Sequence, residues 1–126
     1  MIAIVLDAGA LIALERGDPK ARAYVFLAEH GQATLVTSAA VVARVWRGSA
    51  RQARISRLLA SDLVTEVPLD PAMSRRIGAL AAAVGCTDVV DGHVAVVALE
   101  REAFVMTSDP EDIMRWGVDE RRIVRC

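Results

Sequence analysis

Short unbroken apolar runs alternate with longer helical stretches along this chain, and aspartates sit where some of the runs give way to helix-starting residues. Residues 2–6 (IAIVL) and 103–106 are compact apolar runs, the pattern of strands buried on both faces, and 34–36 make a second strand. Residues 64–69 alternate weakly as a further strand, and 122–125 form a last short one. Between them lie helical stretches. Residues 8–15 follow the first strand and close at Gly17-Asp18-Pro19, and 19–30 end at Gly31. Ser38 is a good N-cap for a helix over 39–47, which Gly48 ends. Ser49 and Gln52 match an S-x-x-Q capping box for a helix at about 50–60. Asp70-Pro71 opens a helix to Val84, with proline at the first helical position. Residues 89–100 are apolar nearly all round, so that helix should be central. Asp109-Pro110 opens a short helix to Trp116.

Strands that alternate with helices throughout argue for a mainly parallel sheet covered on both faces. The expectation is an α/β fold: a three-layer α/β/α sandwich on a four- to five-stranded sheet, in one domain spanning residues 1–126.

In such open sheets functional groups gather beyond the carboxyl ends of the strands. Asp7 sits directly after one apolar run, and Asp109 soon after another, behind Thr107 and Ser108. Asp88 and Asp91 open the central helix at a spacing that puts them on nearly one face. Each acid alone has an ordinary explanation, because aspartate at a helix start caps the backbone or answers the macrodipole. Together they imply more. Two carboxylates about 5 Å apart repel by ~3 kcal/mol at an effective dielectric near 20. A cluster must therefore shift its pKa values or take up cations. With no cysteine among them, and histidine only at positions 30 and 93, such a cluster favours the oxygen-seeking ions Mg²⁺ or Mn²⁺. Those ions polarise phosphoryl oxygens and generate hydroxide near neutral pH, which points to phosphodiester hydrolysis.

Composition narrows the setting. The net charge of −1 excludes a globally basic nucleic-acid binder, although Lys20 is the only lysine and every other cation is arginine. Arginine suits bidentate phosphate contacts. Arg47, Arg51, Arg54 and Arg57 recur at helical spacing, which fits either an RNA-tracking face or a solvated one. A mean hydropathy of +0.36 with only 4% aromatic residues leaves apolar surface for a partner to cover. No apolar run approaches the ~18–20 residues that span a bilayer, and the N-terminal run lacks the basic start of a signal peptide. Cys86 and Cys126 have no metal-ligand spacing and suit a reducing compartment, so a cytoplasmic location is expected. A G-x-G-x-x-G loop after the first strand is lacking, which disfavours a dinucleotide enzyme.

LDAGALIAL at the start, DVVDGHVAVVA in the central helix and TSDPED near the end resemble the PIN domain, especially VapC-type toxin ribonucleases. The resemblance implies a Mg²⁺- or Mn²⁺-dependent endoribonuclease, usually dimeric, that acts on RNA and is held inactive by a cognate antitoxin. By matching position, Asp7, Asp91 and Asp109 would be catalytic metal ligands, with Asp88 as an auxiliary ligand. Thr107 and Ser108 could orient a ligand or water, and Arg44 and Arg47 could contact RNA or modulate the site.

One position departs from the family pattern. The family's second acid is a glutamate in the helix after the second strand. The best-matching position here is Arg44, and no Asp or Glu occurs between Glu29 and Asp62. A guanidinium among carboxylates competes with a cation, so three outcomes are open. Asp88 or Asp112 supplies the missing ligand, Arg44 clamps an RNA phosphate, or the chain is a PIN-like module that binds RNA or an antitoxin without cutting.

Overall fold

A computed structural model describes all 126 residues. Five parallel strands form one sheet: β1 (Ile2–Leu6), β2 (Ala33–Ser38), β3 (Val64–Val67), β4 (Phe104–Thr107) and β5 (Ile123–Arg125). Their spatial order is β3-β2-β1-β4-β5. Seven helices connect them: α1 (Ala8–Glu15), α2 (Pro19–Glu29), α3 (Ala39–Val45), α4 (Ala53–Ala60), α5 (Pro71–Val84), α6 (Val89–Arg101) and α7 (Pro110–Arg115).

The strand order places the helices. Connections from β1 to β2 and from β2 to β3 step one way along the sheet, whereas β3 to β4 and β4 to β5 step the other way. Parallel crossovers are right-handed, so the two groups cover opposite faces. The packing agrees: α1 contacts α2 and α4, while α6 contacts α5 and α7. From the two sides α3 and α6 also meet each other. The expected three-layer α/β/α sandwich is the architecture found, with every strand pairing parallel.

The core is aliphatic, as the composition requires. Ile4, Val5 and Leu6 of β1, Leu35 and Val36 of β2, and Val105 and Met106 of β4 are buried in the middle of the sheet. Helix α6 is buried continuously from Gly92 to Ala98, which explains its lack of a polar face. The capping predictions fare unevenly. Ser38 accepts from Val41 N–H, Asp70 from Met73 N–H, and Asp18 from Ala21 N–H, each at a helix start. The Ser49–Gln52 capping box does not form. A short 3-10 turn over Ala50–Gln52 precedes α4, and Gln52 turns back instead. Its side chain accepts from the N–H groups of Arg47 and Gly48 and donates to Val45 O, so it closes the end of α3. No single helix is long and apolar enough to cross a membrane.

Gly92 is a packing requirement. A Cβ there would lie 2.6 Å from Trp116 Cη2 and 2.8 Å from Ile77 Cγ2, inside the core between α5, α6 and α7. Gly78 on α5 has nothing within 4 Å of the same position. Opposite outcomes follow for one substitution. Gly92→Ala should lose roughly 1–3 kcal/mol to overpacking, whereas Gly78→Ala should gain about 0.5–1 kcal/mol from helix propensity. Urea unfolding of both variants checks this, and equal shifts would refute the packing argument.

Candidate active site

Strands β1 and β4 are neighbours, yet their onward connections run to opposite faces of the sheet. The crevice beyond their carboxyl ends is the switch point at which open α/β sheets bind ligands. Asp7 leaves β1 at this place, and Thr107 ends β4 beside it.

Asp7 is buried, with 3% of its surface exposed, and its carboxylate Oδ2 accepts a 2.7 Å bond from the Thr107 hydroxyl. The Thr107 oxygen in turn accepts from Asp109 N–H at 2.9 Å. One hydroxyl therefore fixes two acids, one from each strand end. On the other side of β1, Thr37 at the end of β2 donates to Leu6 O at 2.8 Å. Both strands that flank β1 finish in Thr-Ser, and both threonines hold the β1 terminus. Sequence reasoning missed Thr37, although the repeated Thr-Ser ending was its signal. It also missed Gly9, whose absent side chain lets α1 approach the loop after β4: a Cβ would meet Ser108 Oγ at 2.2 Å. Ser108 itself is exposed.

The capping explanation can now be decided residue by residue. Asp7 and Asp109 occupy the N-cap positions of α1 and α7, but neither side chain caps its helix. Asp88 does cap α6, accepting from Val90 N–H and Asp91 N–H at 3.0 and 3.1 Å. Asp91 follows one turn into α6, half-buried and facing the same space. Asp7, Asp91 and Asp109 take part in no ion pair. Asp112 is tied to Arg115 on α7 at 2.9 Å. A hollow of about 360 Å³ beside Asp91 is lined by Asp88, Asp112, Arg115 and Trp116 among others.

The electrostatics show which groups share the crevice. Burial raises the Asp7 carboxyl above its usual range; the Thr107 hydroxyl and Ala8 N–H pull it back, Asp109 pushes it further up, and Arg44 opposes. Burial, then the charges of Asp88, Asp7 and Asp112, push Asp91 up to about 6, again against Arg44. Asp88 lies below the usual range, chiefly through the Asp91 N–H it accepts, with Arg44 assisting.

Arg44 points into this space. Its Nη2 lies 3.3 Å from Asp88 Oδ2 and 3.4 Å from Oδ1, with both side chains nearly half exposed. Of the remaining arginines singled out, Arg47 bonds to the carbonyl of Trp46, and Arg54 to that of Glu15. Arg54 and Arg57 border a groove between α2 and α4 rather than the acidic crevice. His93 is completely buried with neither ring nitrogen bonded, and burial holds its pKa low, so it stays neutral in the core.

The sequence matches the PIN domain over residues 4–115. The chain belongs to the PIN domain family. Solved structures agree on the fold. A Rickettsia felis VapBC2 structure bound to a DNA fragment from the promoter superposes with a TM-score of 0.70 at 13% identity, covering 99% of this chain and 98% of that one. A toxin-antitoxin complex from Klebsiella pneumoniae gives 0.68 at 17% identity, covering 96% and 95%. VapBC-1 from nontypeable Haemophilus influenzae gives 0.61 at 20% identity, covering 90% and 92%. At these identities the likeness is one of fold. No curated protein matches the chain in sequence. PIN domains are generally nucleases that use divalent metals.

Whether this PIN domain's residues suit such an ion can be tested on its own donors. Asp7, Asp91 and Asp109 come from three elements and take part in no ion pair, two of them have raised pKa values, and such donors suit a hard cation by their chemistry. The fit is one of chemistry and charge. As the side chains stand, no three acids close on a common point at ligand distance.

The raised acids make a stability prediction for the metal-free protein. A carboxyl whose folded pKa lies above its unfolded value holds its proton longer in the folded state, so stability falls as pH rises from about 4 to 6 and stays reduced above that. Asp7 acts in the same direction; Asp88 acts oppositely, but only below its ordinary 3.8. Allowing for solvent screening, Asp91→Asn should stabilise the protein by about 1–2 kcal/mol at pH 7.5. That corresponds to a Tm rise of roughly 3–6 °C, shrinking towards zero at pH 4. A lower Tm at pH 7.5 would contradict the electrostatic account.

Proposed function

We propose that this PIN domain is a Mg²⁺- or Mn²⁺-dependent endoribonuclease, the toxin of a VapBC-type toxin–antitoxin pair. What supports the reading is that Asp7 and Asp109 follow the two switch-point strands without capping their helices, that Asp91 acts on Asp7 through its charge, and that none of the three is ion-paired. In the proposal these three hold the ion. When bound, it would polarise a phosphoryl oxygen and lower the pKa of a water.

The chain's own residues supply positioning. Thr107 holds the Asp7 carboxylate through its hydroxyl and ties the Asp109 backbone to the same oxygen, which links the two strand ends. Burial keeps Asp7 away from bulk water, which strengthens its interaction with any cation. With a pKa of about 6, Asp91 is mostly ionised at neutral pH and available as a ligand.

The antitoxin would dock elsewhere. A groove of about 660 Å³ between α2 and α4 has Leu14, Val25, Phe26 and Leu58 in its lining, with Arg22 and Arg57 at hand. Phe26 is 57% exposed there, more than a large aromatic side chain gains by facing water. The R. felis and K. pneumoniae relatives in fold are toxin–antitoxin assemblies, which supports a partner of this kind. A homodimer belongs to the same proposal, because Val84 and Val89 stay exposed at the turn from α5 to α6. So does a cytoplasmic location, since Cys86 and Cys126 are unpaired thiols.

The position of Arg44 favours a second reading, a PIN domain that docks RNA or an antitoxin without cutting. Cleavage assays divide the two. RNA hydrolysis that needs Mg²⁺ or Mn²⁺ and falls to background in Asp7→Asn or Asp91→Asn supports the enzyme. Equal residual cleavage in those variants would expose a contaminant and favour the binding module. Thr107→Val should lower cleavage by about 10- to 100-fold, the usual loss when a group that orients a metal ligand is removed. Unchanged cleavage in that variant would dismiss the positioning role of the hydroxyl.

A further inference from the structure

Arg44 is the feature that the acidic trio leaves unexplained. It comes from α3, a helix that contacts α6 from the other side of the sheet. Only one of its nitrogens is engaged, at the long distances of 3.3 and 3.4 Å to a single carboxylate, and nearly half the side chain is exposed. Its other N–H donors have no protein partner, although an arginine presents five of them in a fixed fork.

Charge counting around the crevice gives these donors a purpose. Asp109 acts on Asp7, and Asp88, Asp7 and Asp112 act on Asp91, while Arg44 and Arg115 are the cations that pair with acids there. Arg115 is spent on Asp112 at close range. Arg44 is the cation that also acts on both Asp7 and Asp91. Asp88 is held by its helix cap and by Arg44, so it does not complete a second set of ligands. The stretch from Glu29 to Asp62 contains no acid that could replace it from α3 or α4.

We propose that the Arg44 guanidinium serves as the built-in second cation of the crevice: it limits the site to one divalent ion at Asp7, Asp91 and Asp109, and it offers its free N–H donors to the phosphate of the substrate. This rests on the nuclease reading and adds to it a residue that touches substrate. The physical logic is that like charges repel, so a guanidinium beside the trio weakens an ion's hold, while a phosphate is attracted by both.

Two measurements on the intact protein test it together. Mn²⁺ binding is followed by electron paramagnetic resonance, and binding of an RNA oligonucleotide, kept uncleaved by excess EDTA because the proposed hydrolysis needs a divalent ion, by fluorescence anisotropy. Wild-type protein should take one Mn²⁺. Arg44→Gln should bind Mn²⁺ on the order of tenfold more tightly but RNA about tenfold more weakly. Arg44→Glu should strengthen the first effect and admit a second Mn²⁺, while Arg44→Lys should keep single-ion binding. A change of opposite sign for the two ligands excludes simple misfolding. If Arg44→Gln leaves both affinities unchanged, or shifts both the same way, Arg44 is not a second cation. If Asp7→Asn binds Mn²⁺ as well as wild type does, the metal site itself is misplaced, and the nuclease reading fails with the proposal.

Discussion

A hydroxyl at the end of one strand holding a buried carboxylate at the end of the next is the interaction on which the rest of this structure depends. Asp7 is almost out of contact with solvent, and without Thr107 its carboxylate would be buried with far less hydrogen bonding. The bond requires β1 and β4 to be adjacent and parallel, in register through Leu6 and Met106. Adjacent parallel strands whose connections leave in opposite directions are what create the crevice. Thus the topology that packs the aliphatic core also sets Asp7 and Asp109 at the ends of neighbouring strands, with Asp91 near enough to Asp7 for their charges to act on each other. The protein keeps an acid where an apolar or neutral residue would be more stable, which is a common signature of a site selected for chemistry.

How far the chain could be read without its structure differs between levels. The elements were legible because apolar runs such as IAIVL admit few other readings, and because Asp70-Pro71 and Ser38 are strong local signals. The parallel sheet followed from alternation of strands and helices. What could not be read was anything that depends on where a side chain turns. Ser49 and Gln52 satisfy a capping pattern, yet Gln52 finds three backbone partners behind it at the end of α3, and that tertiary option wins. The acids were legible as candidates but not as a group. Asp7, Asp88 and Asp109 all sit at N-cap positions, and Asp88 alone among them does the capping, a difference that no local pattern in the sequence carries. Thr37 and Gly9 escaped notice because their roles are contacts between distant segments, invisible to any window along the sequence.

Arg44 gives the crevice its particular character. A carboxylate at that position would have deepened the negative well; the guanidinium instead divides it, binding Asp88 on one side and leaving Asp7, Asp91 and Asp109 unpaired on the other. The remaining surface is organised around a separate groove between α2 and α4, where apolar side chains and arginines mix and no strand end points. In the proposed reading, chemistry at the switch point and partner docking on a helical face use separate surfaces, which suits a fold whose functions are carried by its sites.

The most direct test of the central claim is anomalous diffraction from crystals grown with Mn²⁺. This account predicts a single Mn²⁺ peak bounded by Asp7, Asp91 and Asp109, with Arg44 still beside Asp88. A peak elsewhere, or none at saturating Mn²⁺, would contradict it.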